Sequence, residues 1–237
     1  MTTFEGLIEL IFPKKCINCK KFGEFICADC FARISYNSTY QCSVCFRPAI
    51  NGMTHPVCSK TKGLDGVIPV VVYNGIVKKL IYQFKYAPNL HKLDSTIGEI
   101  MVEGLSQNES FYSYIERFKP VLVPIPLSAA RFRARGYNHA ELLTYYVAQY
   151  FKLKVRSNVL IRVKDTKPQY KLNKEARIKN LANAFAVSGS INKKNIPESI
   201  ILIDDITTSF STLKEAAKVL KKSGVKRVLG VTFAKEA

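Results

Sequence analysis

The sequence predicts an α/β fold, a parallel sheet flanked by helices, preceded by a small metal-binding module. All seven cysteines fall within the first 58 residues, six of them as C-x-x-C pairs. From Val67 onward, short β-branched runs alternate with stretches of helical periodicity, the pattern of a parallel sheet. Near the far end, Ile200-Ile201-Leu202-Ile203 runs into Asp204-Asp205 and then into a hydroxyl-rich turn. A short apolar run bounded by such a turn reads as a buried strand.

The chain has 237 residues, enough for one sizeable domain and a small one. With 47% hydrophobic and 23% charged residues, it has the composition of an ordinary globular protein, which argues against a disordered chain. No apolar run approaches the length of a membrane-spanning helix. Phe4–Phe12 is partly apolar but carries Glu5 and Glu9 and no basic leader. A short amphipathic helix is expected there rather than a signal peptide. Thirty-six Lys and Arg face eighteen Asp and Glu, a net charge of +18. A field of that sign favours polyanions such as nucleic acid or an anionic membrane surface.

The cysteines read Cys16-x-x-Cys19, Cys27-x-x-Cys30 and Cys42-x-x-Cys45, with Cys58 alone. C-x-x-C spacing lets two thiolates reach one tetrahedral zinc. A disulfide framework is the rival, but no secretory signal supports it. In His55-Pro56-Val57-Cys58 the histidine keeps the same spacing and stands in for the missing eighth thiolate; a surface histidine is the alternative. One zinc is expected on Cys16, Cys19, Cys27 and Cys30, and a second on Cys42, Cys45, His55 and Cys58. A cross-braced pairing of Cys16/Cys19 with Cys42/Cys45 satisfies the same spacing. Closed four-ligand sites are structural, and so short a segment would draw most of its folding free energy from the metal.

Residues 1–66 therefore form the zinc module. Val67–Tyr73 predicts the first strand. Val77, Leu80, Ile81 and Phe84 then recur at helical spacing. Ile97–Leu105 and Phe111–Phe118 are further helices. Val121–Pro126 is a strand closed by two prolines. The Arg-rich Arg131-Phe132-Arg133-Ala134-Arg135-Gly136-Tyr137-Asn138 follows, with no element assigned. Glu141–Phe151 is a helix, Val155–Val163 contains a strand edge, and Asp165–Asn180 is polar and loop-like. Ile200–Ile203, a helix Leu213–Ser223 ended by Gly224, and Val228–Phe233 complete a βαβ unit. Leu213, Ala216, Ala217 and Leu220 supply that helix with its apolar stripe.

The strand–turn–helix at Ile200–Leu213 carries the chemistry. Its hydroxyl cluster offers a helix N-cap, and a helix N-terminus presents free N–H groups to a phosphate. Two adjacent carboxylates beside it suit ribose hydroxyls or a divalent cation. The plainer reading is a helix capped by its own Asp and Thr residues. This stretch resembles the signature of type I phosphoribosyltransferases. The resemblance implies that Asp204 and Asp205 bind ribose hydroxyls and act as the catalytic pair. It implies too that Thr207, Thr208, Ser209, Ser211 and Thr212 wrap the ribose 5-phosphate. Where that pattern has Gly, this chain has Phe210.

Over nearly its whole length the chain resembles the ComF (ComFC/GntX-like) family. Leu80-Ile81-Tyr82-Gln83-Phe84-Lys85-Tyr86 is similar to the family's LI-x-x-x-KY helix. Val123-Pro124-Ile125-Pro126-Leu127-Ser128 and Arg135-Gly136-Tyr137-Asn138 are close to its VPVPLS and RGFNQ runs, with His139 where Gln is common. Lys167-Pro168-Gln169, Leu172, Arg177 and Asn180 match a further run. The resemblance implies a double zinc ribbon over 1–66 and a phosphoribosyltransferase-like domain over 67–237. It implies a cytoplasmic role in natural transformation, with incoming single-stranded DNA, a helicase-like ATPase and the inner membrane as partners.

Two readings follow. As an enzyme, the chain would hold phosphoribosyl pyrophosphate on the acid pair and phosphate loop. Pro126, Leu127, Ser128, Arg131 and Arg135 would bind the pyrophosphate, Mg²⁺ would bridge it to the ribose, and the acceptor is unidentified. As a binding protein, it would lay single-stranded DNA along Arg131, Arg133, Arg135, Tyr137, Lys164, Lys167, Tyr170, Lys171, Lys174 and Arg177, with the tyrosines stacking on bases. A solvated basic stretch and core-edge tyrosines are the plainer alternatives. A zinc-containing transcription regulator is a weaker third reading, since no major-groove reader is evident.

Overall fold

The computed structural model describes residues 13–36, 39–60, 63–86, 93–165, 180–189, 191 and 195–236. The helix expected over Phe4–Phe12 lies outside them, as do Lys167, Tyr170, Lys171, Lys174 and Arg177.

The cysteine-rich segment contains one short helix, α1 (Ala28–Phe31), and two 3₁₀ turns, Ile50–Gly52 and Cys58–Lys60. The α/β part then runs β1 (Gly66–Val72), α2 (Gly75–Tyr86), α3 (Leu93–Ser106), α4 (Glu109–Phe118), β2 (Val121–Pro124), α5 (Ala129–Arg135) and α6 (His139–Phe151). It continues through β3 (Leu160–Arg162), β4 (Phe185–Val187), β5 (Ser199–Thr207), α7 (Ser211–Lys222) and β6 (Arg227–Lys235). Four strands form a parallel sheet in the order β1-β6-β5-β2, so the strand carrying the acid pair is central. That position explains why Ile200, Ile201, Leu202 and Ile203 are all fully buried: both faces of β5 are covered.

On one face pack α2, α3, α4 and α6, with Leu80, Ile97, Met101, Phe111 and Leu143 in a core shared with Ile201 and Ile203. Gly98 lets α3 approach α6, since a Cβ there would stand 2.4 Å from the Tyr146 ring. On the other face, α7 contributes Leu213, Ala216, Ala217 and Leu220 to a second core with Ile200 and Leu202. The cysteine-rich module joins the first core through Cys16, Ile17, Ile26, Cys27, Cys30 and Ile34. It is further tied by bridges from Tyr36 to Val71 and from Met53 to Gly66.

One sequence expectation needs correction, and two elements are additional to it. The Arg-rich stretch is the seven-residue helix α5, stopped by Gly136 in the left-handed conformation. β5 does not end at Ile203: pairing with β6 continues through Asp204↔Thr232, Ile206↔Ala234 and Thr207↔Lys235, so both acids lie within the strand. β4, which the sequence pattern does not predict, pairs antiparallel with β3. At three residues it is too short for its periodicity to register.

Candidate functional site

The zinc module is built as two knuckle clusters. Cys16, Cys19, Cys27 and Cys30 bring their Sγ atoms within 4.8 Å of one another, and so do Cys42, Cys45, Cys58 and a His55 nitrogen. Roughly 3.8 Å separates thiolates on a zinc tetrahedron with ~2.3 Å bonds, so both sets fit one ion. The consecutive pairing is the one formed; the cross-braced one is not. At Cys16, burial opposes ionisation, but backbone N–H groups of Cys19, Cys27 and Asn18 outweigh it and hold the thiol at about 6. Cys42 is likewise brought to about 6 by the backbone of Cys45, His55 and Val44 against burial. Thiolates favoured near neutral pH are what a zinc ligand requires. His55 Nε2 lies 2.8 Å from the Pro48 carbonyl oxygen, and Nδ1 lies 3.3 Å from Cys45 Sγ. With Nε2–H donating to that carbonyl, Nδ1 keeps the free lone pair that a metal would take.

The second centre lies at the carboxyl ends of β5 and β2, where open α/β sheets bind ligands. Pro124 is in register with Ile203, so the segments after these strands run side by side. Asn138, at the start of α6, steadies them: its Nδ2 donates to the Ile125 carbonyl at 3.1 Å, and its side chain caps Ala140 N–H. Ser128 is buried in the turn, Pro126 and Leu127 are half-buried, and Ile125 N–H donates to Ile203 O at 2.9 Å.

Asp204 and Asp205 are both buried. Lys85, from the last turn of α2, forms an ion pair with Asp205 Oδ2, and His139 Nε2 lies 3.5 Å from Asp205 Oδ1. Burial resists the Asp205 charge, yet Lys85 and His139 together hold its carboxyl well below the usual carboxylate range. Asp204 goes the other way: burial, then the adjacent Asp205 charge, push its carboxyl well above that range. The two acids thus divide into one fixed anion and one group that readily keeps its proton, able to donate a hydrogen bond. Burial also depresses the His139 imidazole, with Asp205 opposing it in part.

Cations ring this pair. Arg131 and Arg135 sit one turn apart on α5. Burial and the neighbouring Arg135 charge lower the pKa of the Arg131 guanidinium, while Tyr86, Asp204 and Asp165 favour its charge. Arg162, on β3, is brought down to about 10 by burial and by Arg131, again against Asp204 and Asp165. Arg135 Nη1 lies 3.3 Å from His139 Nδ1. Among the described residues, Lys85, Arg131, Arg135 and Arg162 therefore outnumber Asp204, Asp205 and Asp165 around one strand end, a surplus suited to an anion.

The loop expected to hold phosphate runs between β5 and α7. The helix is not capped by a hydroxyl; its N-cap is Phe210, in the left-handed conformation at φ 59°, with no side-chain cap bond. Thr207 Oγ1 instead accepts from Phe210 N–H at 3.2 Å, and the Ser209 and Ser211 hydroxyls bond each other at 2.7 Å. Phe210 thus adopts the backbone shape that glycine takes most easily. Its ring is 1% exposed and packs in the second core. Thr208, Ser209 and Thr212 are half-buried beside it.

The sequence assigns no role to Lys85, His139 or Arg162, although each leaves a trace in it. Lys85 follows Ile81 by one helical turn, at the edge of the buried stripe. Arg162 shares the strand face of the buried Leu160. His139 occupies a place where the family run carries Gln. Of the expected nucleic-acid residues, Arg133 is exposed on α5, while the half-buried Tyr137 donates its hydroxyl to the Phe84 carbonyl. Lys164 is exposed just past β3.

Comparison with known proteins agrees with this architecture. Residues 7–61 match the family model of the double zinc ribbon domain. Competence protein F of Haemophilus influenzae is 31% identical over 150 residues, 63% of this chain and 63% of that protein. The match thus spans less than two thirds of that relative. Competence protein ComFC of Bacillus subtilis is 29% identical over 219 residues, 86% of this chain and 81% of its own. DNA utilization protein YhgH of Escherichia coli is 24% identical over 208 residues, 86% and 87% respectively.

Proposed function

We propose that this chain, a homologue of competence protein F, ComFC and YhgH with an N-terminal double zinc ribbon, is a ComF-type competence protein that handles single-stranded DNA and binds a ribose phosphate. Among the described residues no helix is long and apolar enough to cross a membrane. The observation that carries the ribose-phosphate reading is the cation ring around a split acid pair at the end of β5. A phosphorylated ribose presents both a dianion and vicinal hydroxyls. The Arg131, Arg135 and Arg162 guanidiniums offer charge-assisted bonds to the phosphate oxygens. Asp205, a fixed acceptor, and Asp204, a donor when protonated, match the two faces of the hydroxyls.

Zinc in this reading is structural: each four-ligand set is complete, so the ions hold the ribbon together and take no part in chemistry. Mg²⁺ does not suit the acid pair. The ligand atoms of His139, Asp204 and Asp205 lie within 4.8 Å of one another, but the Lys85 ammonium already occupies Asp205, and Mg²⁺ prefers oxygen to imidazole.

The DNA reading rests on the net charge of +18, the names of the relatives, and the exposed arginine on α5. Isothermal titration of the zinc-loaded protein with phosphoribosyl pyrophosphate tests the first half. Heat that disappears in Asp204→Asn/Asp205→Asn and weakens in Arg131→Gln, with single-stranded DNA affinity retained, is the expected result. No heat from the wild type would sink the ribose-phosphate reading.

A further inference from the structure

Helix α2 faces two ways. Ile76, Val77, Leu80, Ile81 and Phe84 are buried and fix it to the core, and Lys85 reaches inward to Asp205. Tyr82 and Tyr86, four residues apart on the outward side, are 60% and 55% exposed. Their ring centroids stand 5.0 Å apart with the planes tilted by 46°. Arg135 closes the group from α5. Its guanidinium carbon lies 5.0 Å from the Tyr86 ring centroid, and its Nη2 donates to Tyr86 Oη at 3.3 Å.

A single exposed tyrosine is unremarkable on a protein surface. Two in ring contact, held by a guanidinium that also reaches His139, are a different matter. The chain of contacts Tyr86–Arg135–His139–Asp205 ties this aromatic patch to the acid pair. Neither ring is enclosed, which disfavours a free small molecule: such ligands need concave pockets that bury most of their surface. An open aromatic face beside arginines, on a chain of charge +18, suits a polyanion with unpaired bases.

We propose that Tyr82 and Tyr86, with the Arg135 guanidinium, form a stacking platform for the unpaired bases of single-stranded DNA, set beside the ribose-phosphate site. This rests on the DNA reading above and moves the bases from Tyr137, whose hydroxyl is held by the Phe84 carbonyl, onto α2. Every base offers a π-face, so the platform is indifferent to sequence, while the arginines meet the phosphates.

The test compares fluorescein-labelled dT12 with an abasic 12-mer of the same length and charge, by anisotropy on the full-length zinc-loaded protein. Loss of one stacked base costs roughly five- to 150-fold in affinity. The wild type should therefore prefer dT12 at least tenfold. Tyr82→Ala/Tyr86→Ala should reduce that preference below about threefold with the salt dependence unchanged, whereas Tyr82→Phe/Tyr86→Phe should keep it. An unchanged preference in the alanine variant would overturn the platform and leave DNA binding standing. Equal affinity of the wild type for the two strands would do the same. Binding of neither strand at low salt would overturn the DNA reading together with the platform.

Discussion

The ring of Phe46, one residue past the ligand Cys45, stacks on that of Phe210 in the β5–α7 loop, with centroids 5.9 Å apart and planes 18° from parallel. Lys214 of α7 lies over the Phe46 ring at 4.5 Å, and Lys235 at the end of β6 lies over the Phe210 ring at 5.9 Å. The second zinc cluster therefore leans directly on the loop expected to hold phosphate. Removing zinc with a chelator, or replacing Phe46 by Ala, should loosen that loop. Faster hydrogen exchange at the amides of 207–212, with β5 unchanged, is the expected readout. Aromatic stacking of this kind contributes about 0.5–1.5 kcal/mol beyond area burial. Exchange unaffected by either treatment would show that the two sites are independent.

Phe210→Gly restores the residue common in phosphoribosyl loops and should nevertheless destabilise the protein. Relief of the left-handed conformation is worth about 1–2 kcal/mol, whereas removing a buried phenyl ring costs about 3–5 kcal/mol. Packing wins by about 1–4 kcal/mol, measurable as a lower denaturation midpoint. A midpoint equal to or above that of the wild type would contradict the placement of the ring.

Lys85→Met should be among the most damaging single changes in the α/β part. The ion pair is mostly buried, with side-chain exposures of 18% and 5%. Breaking it strands the Asp205 charge, a loss of about 3–5 kcal/mol. Combining it with Asp205→Asn should recover much of that loss, and chemical denaturation of the four proteins in a double-mutant cycle measures the coupling.

His139 gives a pH dependence of known sign. Burial depresses its folded-state pKa below 6.5, so the unfolded chain takes up the proton first as pH falls. The contribution of the neutral imidazole is complete above about pH 6.5 and is lost as pH falls from there toward the folded value. His139→Gln should flatten this part of the stability profile. The difference between the two proteins, followed by thermal unfolding from pH 8 to pH 5, should shift in favour of the Gln variant with acid, so that any wild-type advantage narrows; a constant difference would refute the assignment.

Arg133 projects from α5 without a role in the acid site. Arg133→Ala should weaken single-stranded DNA binding while leaving phosphoribosyl pyrophosphate binding unchanged, and should lower the slope of log affinity against log salt by about 0.7. Reversal of Arg131, Arg133 and Arg135 together should lower the slope further. If neither change alters affinity or slope, DNA does not cross α5.

Much of this protein is written locally. C-x-x-C spacing names zinc ligands because two thiolates three residues apart reach one ion, whatever surrounds them. The apolar runs at Val67 and Ile200 predict strands, and the stripe at Leu213, Ala216, Ala217 and Leu220 predicts α7, because period and burial are properties of the segment itself. Even so, the sequence left two zinc pairings open, and only the folded chain brings Cys16 and Cys19 to Cys27 and Cys30.

What the tertiary structure decided are relationships between distant segments. No local pattern could end β5 at Thr207 rather than Ile203, since the extra residues belong to the strand through pairing with Thr232, Ala234 and Lys235. Lys85 and His139 are 120 and 66 positions before Asp205, yet they set its charge. Phe210 stands at a glycine position of the phosphoribosyl pattern, and its ring is one of the contacts between the zinc ribbon and the α/β part. The sequence alone determined which residues could do chemistry, because residue type and short spacing are local. Their pairing, their protonation and their neighbours depend on distances in space, and only the packed fold sets those.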